Sequence, residues 1–252
     1  MIRAARLAFA SAFVFVTAVA TAQDDGFTKK FPLASCHFIS IGGNGYFPLI
    51  PGRQLYYSNA TCVAAGKCDE LNELWITAER EIRRISLPVG RDTRTVFARV
   101  VEERETEDGE LVEISRNFFA NCWASRDVYY FGEDVDIYKN GKVVSHDGAW
   151  LAGRHGALPG MVMPEGGFIT GSRYYQEVAP EVALDRSEHK RTGFSMRVPA
   201  GQFDNCLEVE ETTPLEPDDI GHKIYCRGVG LVKDGDLVLT AIYGSGHQGS
   251  DD

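Results

Sequence analysis

Apolar and polar residues alternate with a period of two along much of the chain, the mark of strands with one buried face. In residues 111–122 one parity holds Val112, Ile114, Phe118, Ala120 and Cys122, with Arg116 as the exception, while the other begins Glu113, Ser115 and Asn117. Further on, Phe203, Leu207 and Val209 share a parity, and Asp204, Glu208 and Glu210 take the opposite one. Strands of this kind belong to antiparallel sheets with one wet side. The run 237–243 (LVLTAIY) is apolar on both parities and reads as a central strand. Turn signals separate the runs: Asp108-Gly109, Asn140-Gly141 and Asp234-Gly235 each sit between β-type segments, as two-residue hairpins require.

Two stretches break the alternation. Residues 70–85 (ELNELWITAEREIRRI) place Leu71, Leu74, Ile82 and Ile85 at near-helical offsets, yet Leu74, Ile76 and Ala78 alternate as a strand would, so periodicity leaves both open. Residues 153–171 carry Pro159, Gly160, Pro164, Gly166 and Gly167 and read as the longest loop, either functional or a connection between parts of a sheet. No internal repeat or low-complexity linker divides the chain.

The N-terminus changes the picture. Residues 1–22 combine Arg3 and Arg6 with an apolar stretch too short to span a bilayer, then Ala20-Thr21-Ala22, the small-residue pattern of a signal-peptidase site. The expected organisation is therefore a signal peptide at 1–22, an N-terminal extension at 23–45, a β-rich domain at 46–243 and a disordered tail at 244–252. Leu33-Ala34-Ser35-Cys36 looks like a lipobox, but the polar run QDDGFTKK separates it from the apolar region and argues against acylation of Cys36. Cleavage removes two arginines and no acid, so the formal charge moves from −10 to −12. That charge speaks against nucleic acid as a partner, and no later stretch is long enough for a membrane span. Export to the periplasm or the medium makes disulfides the default state of all 6 cysteines. Cys62 and Cys68, which bracket a short loop, are the expected pair; the pairing of Cys36, Cys122, Cys206 and Cys226 is open.

Four blocks carry a family resemblance: Tyr46-Phe47-Pro48-Leu49 with Pro51-Gly52, residues 129–134 (YYFGED), Val198-Pro199-Ala200-Gly201 with Phe203, and residues 228–233 (GVGLVK). Together they resemble an uncharacterised family of secreted or lipid-anchored bacterial β-proteins, with signatures related to those of TapB-like and LolA-like half-barrel proteins. The resemblance covers about residues 46 to 243 and departs at Cys226 and Arg227. It implies a mainly β fold, a single antiparallel, strongly curved sheet or half-barrel with a long Gly/Pro loop, and it tips residues 73–84 towards a strand. It also implies a concave face able to hold an acyl chain or apolar peptide, which Phe118, Trp123, Tyr130 and Trp150 would line. The same aromatics serve equally as core.

Chemistry is sparsely signalled. No G-x-S-x-G elbow occurs, and Gly42-Gly43-Asn44-Gly45 lacks the rest of a dinucleotide fingerprint. Glu133 and Asp134, beside Tyr129, Tyr130 and Phe131, and the strand pair Glu208 and Glu210 are the carboxylates from which a carbohydrate hydrolase or lyase would be built. In an acidic protein they serve equally as solvated surface. His146, Asp147, His155, Met161 and Met163 form a loose His/Met set of the type that suits copper, without ligand spacing. No cofactor is implied. The expectation is an exported binding or envelope-associated protein with an apolar or lipid-like ligand, and a carboxylate-dependent enzyme or a metal-binding protein as alternatives.

Overall fold

The computed structural model describes residues 26–166 and 170–244. The signal peptide and residues 245–252 of the expected tail lie outside them.

The chain is mainly β, one large antiparallel sheet that is strongly curved and not closed into a barrel. Short β1 (Phe38–Ile39) and β2 (Gln54–Ser58) precede α1 (Ala60–Ala64), a single turn of helix. A meander of long strands follows: β3 (Asn72–Val89), β4 (Asp92–Glu107), β5 (Glu110–Cys122) and β6 (Val128–Lys139). Then come β7 (Lys142–Ser145), β8 (Trp150–Leu151), β9 (Leu158–Met163), β10 (Arg173–Tyr175) and β11 (Glu177–Val178). The C-terminal part is a second meander of β12 (Arg186–Val198), β13 (Gly201–Thr212), β14 (Ile220–Cys226), β15 (Gly230–Asp234) and β16 (Leu237–Tyr243). Spatial order runs β10-β12-β13-β14-β15-β16-β2-β3-β4-β5-β6-β9-β11. Its two ends, β10 and β11, are consecutive in the chain with Gln176 alone between them, so the sheet curls until its ends meet in one segment.

The predicted turns form. Asp108 and Gly109 both take positive φ (47° and 83°), as do Asn140 and Gly141 (52° and 71°), matching the strand twist that tight hairpins need. The Pro-Ala-Gly turn joins β12 to β13, with Val198 opposite Gly201.

Residues 70–85 fall within β3, and the helical look of their apolar positions has a cause. Between Ala78 and Ile82 the pairing with β4 slips, two residues of β4 spanning four of β3. Leu74 and Ala78 are buried before this bulge; Ile85 and Leu87 are buried after it, on the other parity. Buried Arg99 fills the bulge, donating to the carbonyls of Glu79, Arg80 and Glu81 at 3.0, 3.0 and 3.3 Å and to Ser40 O at 2.9 Å. The expected long loop also contains a strand, β9. Its Gly160 lets the backbone of Tyr175 and Gln176 approach so closely that a Cβ there would lie 2.3–2.4 Å from their atoms. Glycine and proline here serve close packing rather than a turn.

All 6 cysteines pair, as Cys36–Cys122, Cys62–Cys68 and Cys206–Cys226. The first binds the N-terminal extension to β5 and removes the Cys36 thiol from acylation. Replacing both Cys62 and Cys68 by Ser is expected to cost about 2 kcal/mol, the loop-entropy value for so short a ring; urea denaturation of the double variant checks it.

Candidate functional site

The curl encloses a cavity of about 300 Å³, lined from β2 to β6 on one side and from β13 to β15 on the other. Strand register stacks its lining in rows. Leu55, Ile76, Glu103 and Ser115 face one another across β2, β3, β4 and β5. The next row, towards the Asp108-Gly109 turn, is Tyr57, Glu105 and Glu113, with buried Leu74 in register between the first two. In the opposite direction lie Ala78, Val101, Asn117 and Glu133. The polar parity of β5, which the sequence marks as the wet face, thus points inward: Ser115 and Asn117 are only 5% exposed.

One end is plugged by Phe47, Pro48 and Leu49, part of the first resemblance block. Asn44 shapes this plug, its Oδ1 accepting from Tyr46 N and Phe47 N at 3.0 and 2.8 Å and its Nδ2 donating to Met163 O at 2.9 Å. Phe47 packs edge-on against Phe119 with centroids 4.9 Å apart, and Phe119 stacks on Tyr130 at 4.8 Å. An aromatic run therefore leads from the plug to the polar part of the cavity. The Tyr130 hydroxyl donates to Asn117 Oδ1. Gln176, at the junction of the sheet's ends, donates to Glu211 Oε1 and Ser187 Oγ, each at 2.6 Å.

Carboxyls dominate the polar part of the lining. Glu103, Glu105, Glu113 and Glu133 come from the first meander, Glu177 from β11, Glu211 and Asp234 from the second, with Asp185 exposed at the mouth. Against them stand two basic side chains, Lys223 and Arg53. Lys223 Nζ lies 2.8 Å from Glu211 and 3.5 Å from Asp234. Burial alone would lower its pKa, but these carboxylates hold the ammonium charged well above the usual lysine range. Arg53 sits near the plug, donating to Gly228 O at 3.3 Å, and its Nε has no hydrogen-bond partner.

The remaining acids are held away from ionisation. Burial pushes Glu103 up to about 8, with neighbouring Glu105 adding to the rise and Lys223 opposing it. Glu105 is raised to about 7 by burial and by Glu113, its direct cross-strand partner, a like-charge pairing that sheets ordinarily avoid. Glu133 is raised to about 7, again first by burial, with the neighbouring Tyr130 hydroxyl working against it. Glu177 is raised well above the carboxylate range by burial and by Asp185. Glu103, Glu105 and Glu133 are half-buried and line the cavity. Displaced acids gathered in one concavity make it the candidate functional site.

The sequence-derived candidates divide. Glu133 and Tyr130 line the cavity, and Trp150 is buried beside Tyr130, edge-on at 5.1 Å. Phe118 is buried on the opposite face of β5, under the Arg83 guanidinium, and Trp123 is 63% exposed on a turn. Asp134 points outward to Arg83 at 3.5 Å, Glu208 pairs with Arg191 at 3.0 Å, and Glu210 with Lys190 at 3.1 Å. These three are solvated surface. His146 contacts Val135 O and Asp136, His155 is exposed, Met161 is half-buried and Met163 fully buried. Among the described residues the one close cluster of metal-type donors is Cys62, Cys68 and Asp236, and its two sulfurs are bonded to each other.

No protein-family model and no curated protein matches the chain, so the comparisons lend nothing to the TapB-like and LolA-like relation. One solved structure aligns with it, a candidate lipoprotein from Parabacteroides distasonis, at 14% identity over 79% of this chain and 99% of that one, with a TM-score of 0.28. That likeness is too slight to bear on fold or function.

Sequence reasoning missed most of the cavity acids. Their signal is an acid that continues a buried parity, Glu103 and Glu105 after Val101 and Glu211 after Leu207 and Val209; the base Lys223, two before Tyr225, carries the same signal. Glu177 carries no such signal, since β11 is only two residues long.

Proposed function

We propose that the chain is an exported binding protein that holds a small polar molecule inside its curled sheet. The observation that carries this reading is the cavity in the curl of the sheet, whose carboxyls outnumber the basic groups able to neutralise them. A packed core of the same volume would be more stable, so the arrangement is explained by an occupant. At about 30 Å³ per water, the space suits a ligand of on the order of ten non-hydrogen atoms. The buried carboxyls disfavour an acyl chain as sole occupant, although Phe47, Leu49, Leu55, Ile76, Val101 and Leu231 offer apolar surface beside them. Three disulfides support an oxidising compartment, and the signal peptide supports the periplasm or the medium. Among the described residues no helix is long and apolar enough to cross a membrane.

Native mass spectrometry of protein purified from the periplasm tests the proposal. A mass increment lost on denaturation, from a compound that raises the thermal midpoint when added back, is the expected result. No adduct, together with no stabilisation by a panel of polar metabolites, would overturn it.

One observation favours a second reading, a carboxylate-dependent hydrolase or lyase. Glu103 and Glu133, raised to about 8 and about 7, share one cavity with Glu211 and Asp234, which are paired with Lys223, as a general acid and a charged partner do. Turnover of an aryl glycoside or a uronate polymer, abolished in Glu103→Gln, would favour it over binding alone.

A further inference from the structure

Resting on that binding reading, we propose that the occupant is a small organic cation, an ammonium or guanidinium compound. Its charged head would sit against Glu177 and Glu133, and its carbon skeleton along Tyr130, Phe119 and Phe47.

Glu177 is the first support. It is 1% exposed and lines the cavity, and only one of its carboxyl oxygens is used: Oε1 accepts from Asp185 N at 2.6 Å. Oε2 is buried with no hydrogen-bond partner. A buried oxygen left in this way is unfavourable unless something supplies a donor. The second support is charge. Lys223 is taken up by Glu211 and Asp234, and Arg53 stands at the plug, so no basic side chain of the lining is left for Glu133 and Glu177. Third, Tyr130 adjoins these acids and continues through its stack on Phe119 to Phe47. Aromatic faces next to carboxylates are the surfaces on which organic cations bind.

A bare metal ion fits less well. It needs several oxygens converging on one point, and among the described residues no three of the cavity's carboxyls come within 4.8 Å of one another. An extended cation with a carbon body matches spread acids and an apolar, aromatic end.

Calorimetric titration of the full mature protein at about pH 8 decides the matter, with 1,4-diaminobutane and butylammonium as cations, butanol and glucose as neutral probes, and calcium chloride as the metal probe. Binding of a cation at least about tenfold tighter than of butanol is expected, as is a loss of about tenfold in Glu177→Gln, which keeps the hydrogen bond from Asp185 N. Thermal denaturation of that variant, unchanged or raised, shows that it folds. Equal or tighter binding of butanol, glucose or calcium would overturn the cation assignment while leaving an occupied cavity. Identification of a co-purified neutral or anionic compound would do the same. Silence from every probe and from native mass spectrometry would remove the cation and the binding reading together.

Discussion

Replacing Lys223 by Met is expected to cost about 3 kcal/mol of unfolding free energy near pH 7.5, and clearly less near pH 5. The side chain is close to isosteric, so packing changes little. What is lost is the only ammonium among the acids: Glu211 at 2.8 Å and Asp234 at 3.5 Å would face each other, with Glu103 nearby, and no cation between them. Removing one partner of a buried pair strands the others, which is dearer than never having built the pair. At acid pH the stranded carboxyls take up protons and the loss shrinks. Urea denaturation at the two pH values checks this. An equal loss at both would mean that Lys223 acts by packing, and no loss at either would mean that it is not paired.

Stability of the unaltered protein is expected to rise as pH falls from about 8 to about 5, by on the order of a few kcal/mol. Glu103 holds its proton up to about 8, Glu105 and Glu133 up to about 7, whereas the unfolded chain releases them near the ordinary 4.5. The fold thus binds more protons than the unfolded chain throughout that interval. The stabilisation this brings is complete below about 4.5 and is lost as pH climbs through 7 to 8. Glu113, Glu177, Asp185 and Asp234 are raised too and act in the same direction. One buried group opposes them: His189, which contacts the Tyr174 hydroxyl at 2.8 Å, is lowered to about 4 by burial and so weakens the fold between about 6.5 and 4. Several carboxyls outweigh one imidazole, and maximal stability should fall near pH 5. Glu103→Gln, which fixes the uncharged form, should raise stability at pH 8 and flatten the profile. A thermal midpoint that climbs from pH 5 to 8 would contradict this.

The strand framework was largely legible because its signals are local. Asp108-Gly109, Asn140-Gly141 and the Pro199-Ala200-Gly201 turn each specify a hairpin by backbone conformation alone, and Leu207 and Val209 mark a buried face by parity. Where a longer-range contact took over, local reading failed. Arg99 satisfies the carbonyls of a bulge 18–20 residues away, and the resulting parity switch mimics a helix. Gly160 is placed by the approach of Gln176, not by a turn. The cavity was harder to see for a physical reason: a curled sheet has two polar-tolerant faces, and alternation cannot say which of them is inside. Glu133 and Asp134 are adjacent and equally acidic in sequence, yet one lines the cavity and the other pairs with Arg83 in solvent. The choice is made by β6 turning its odd parity towards Asn117.

The claim on which the rest depends is that the cavity acids are desolvated and keep their protons near neutrality. Carbon-13 labelling of the glutamate side chains, with carboxyl shifts followed by NMR from about pH 3 to about pH 9, measures this directly, the Glu103→Gln spectrum supplying one assignment. The expected result is a glutamate midpoint near 8 that disappears in Glu103→Gln, and two near 7 for Glu105 and Glu133. Glutamates all titrating together near 4.5 would contradict it.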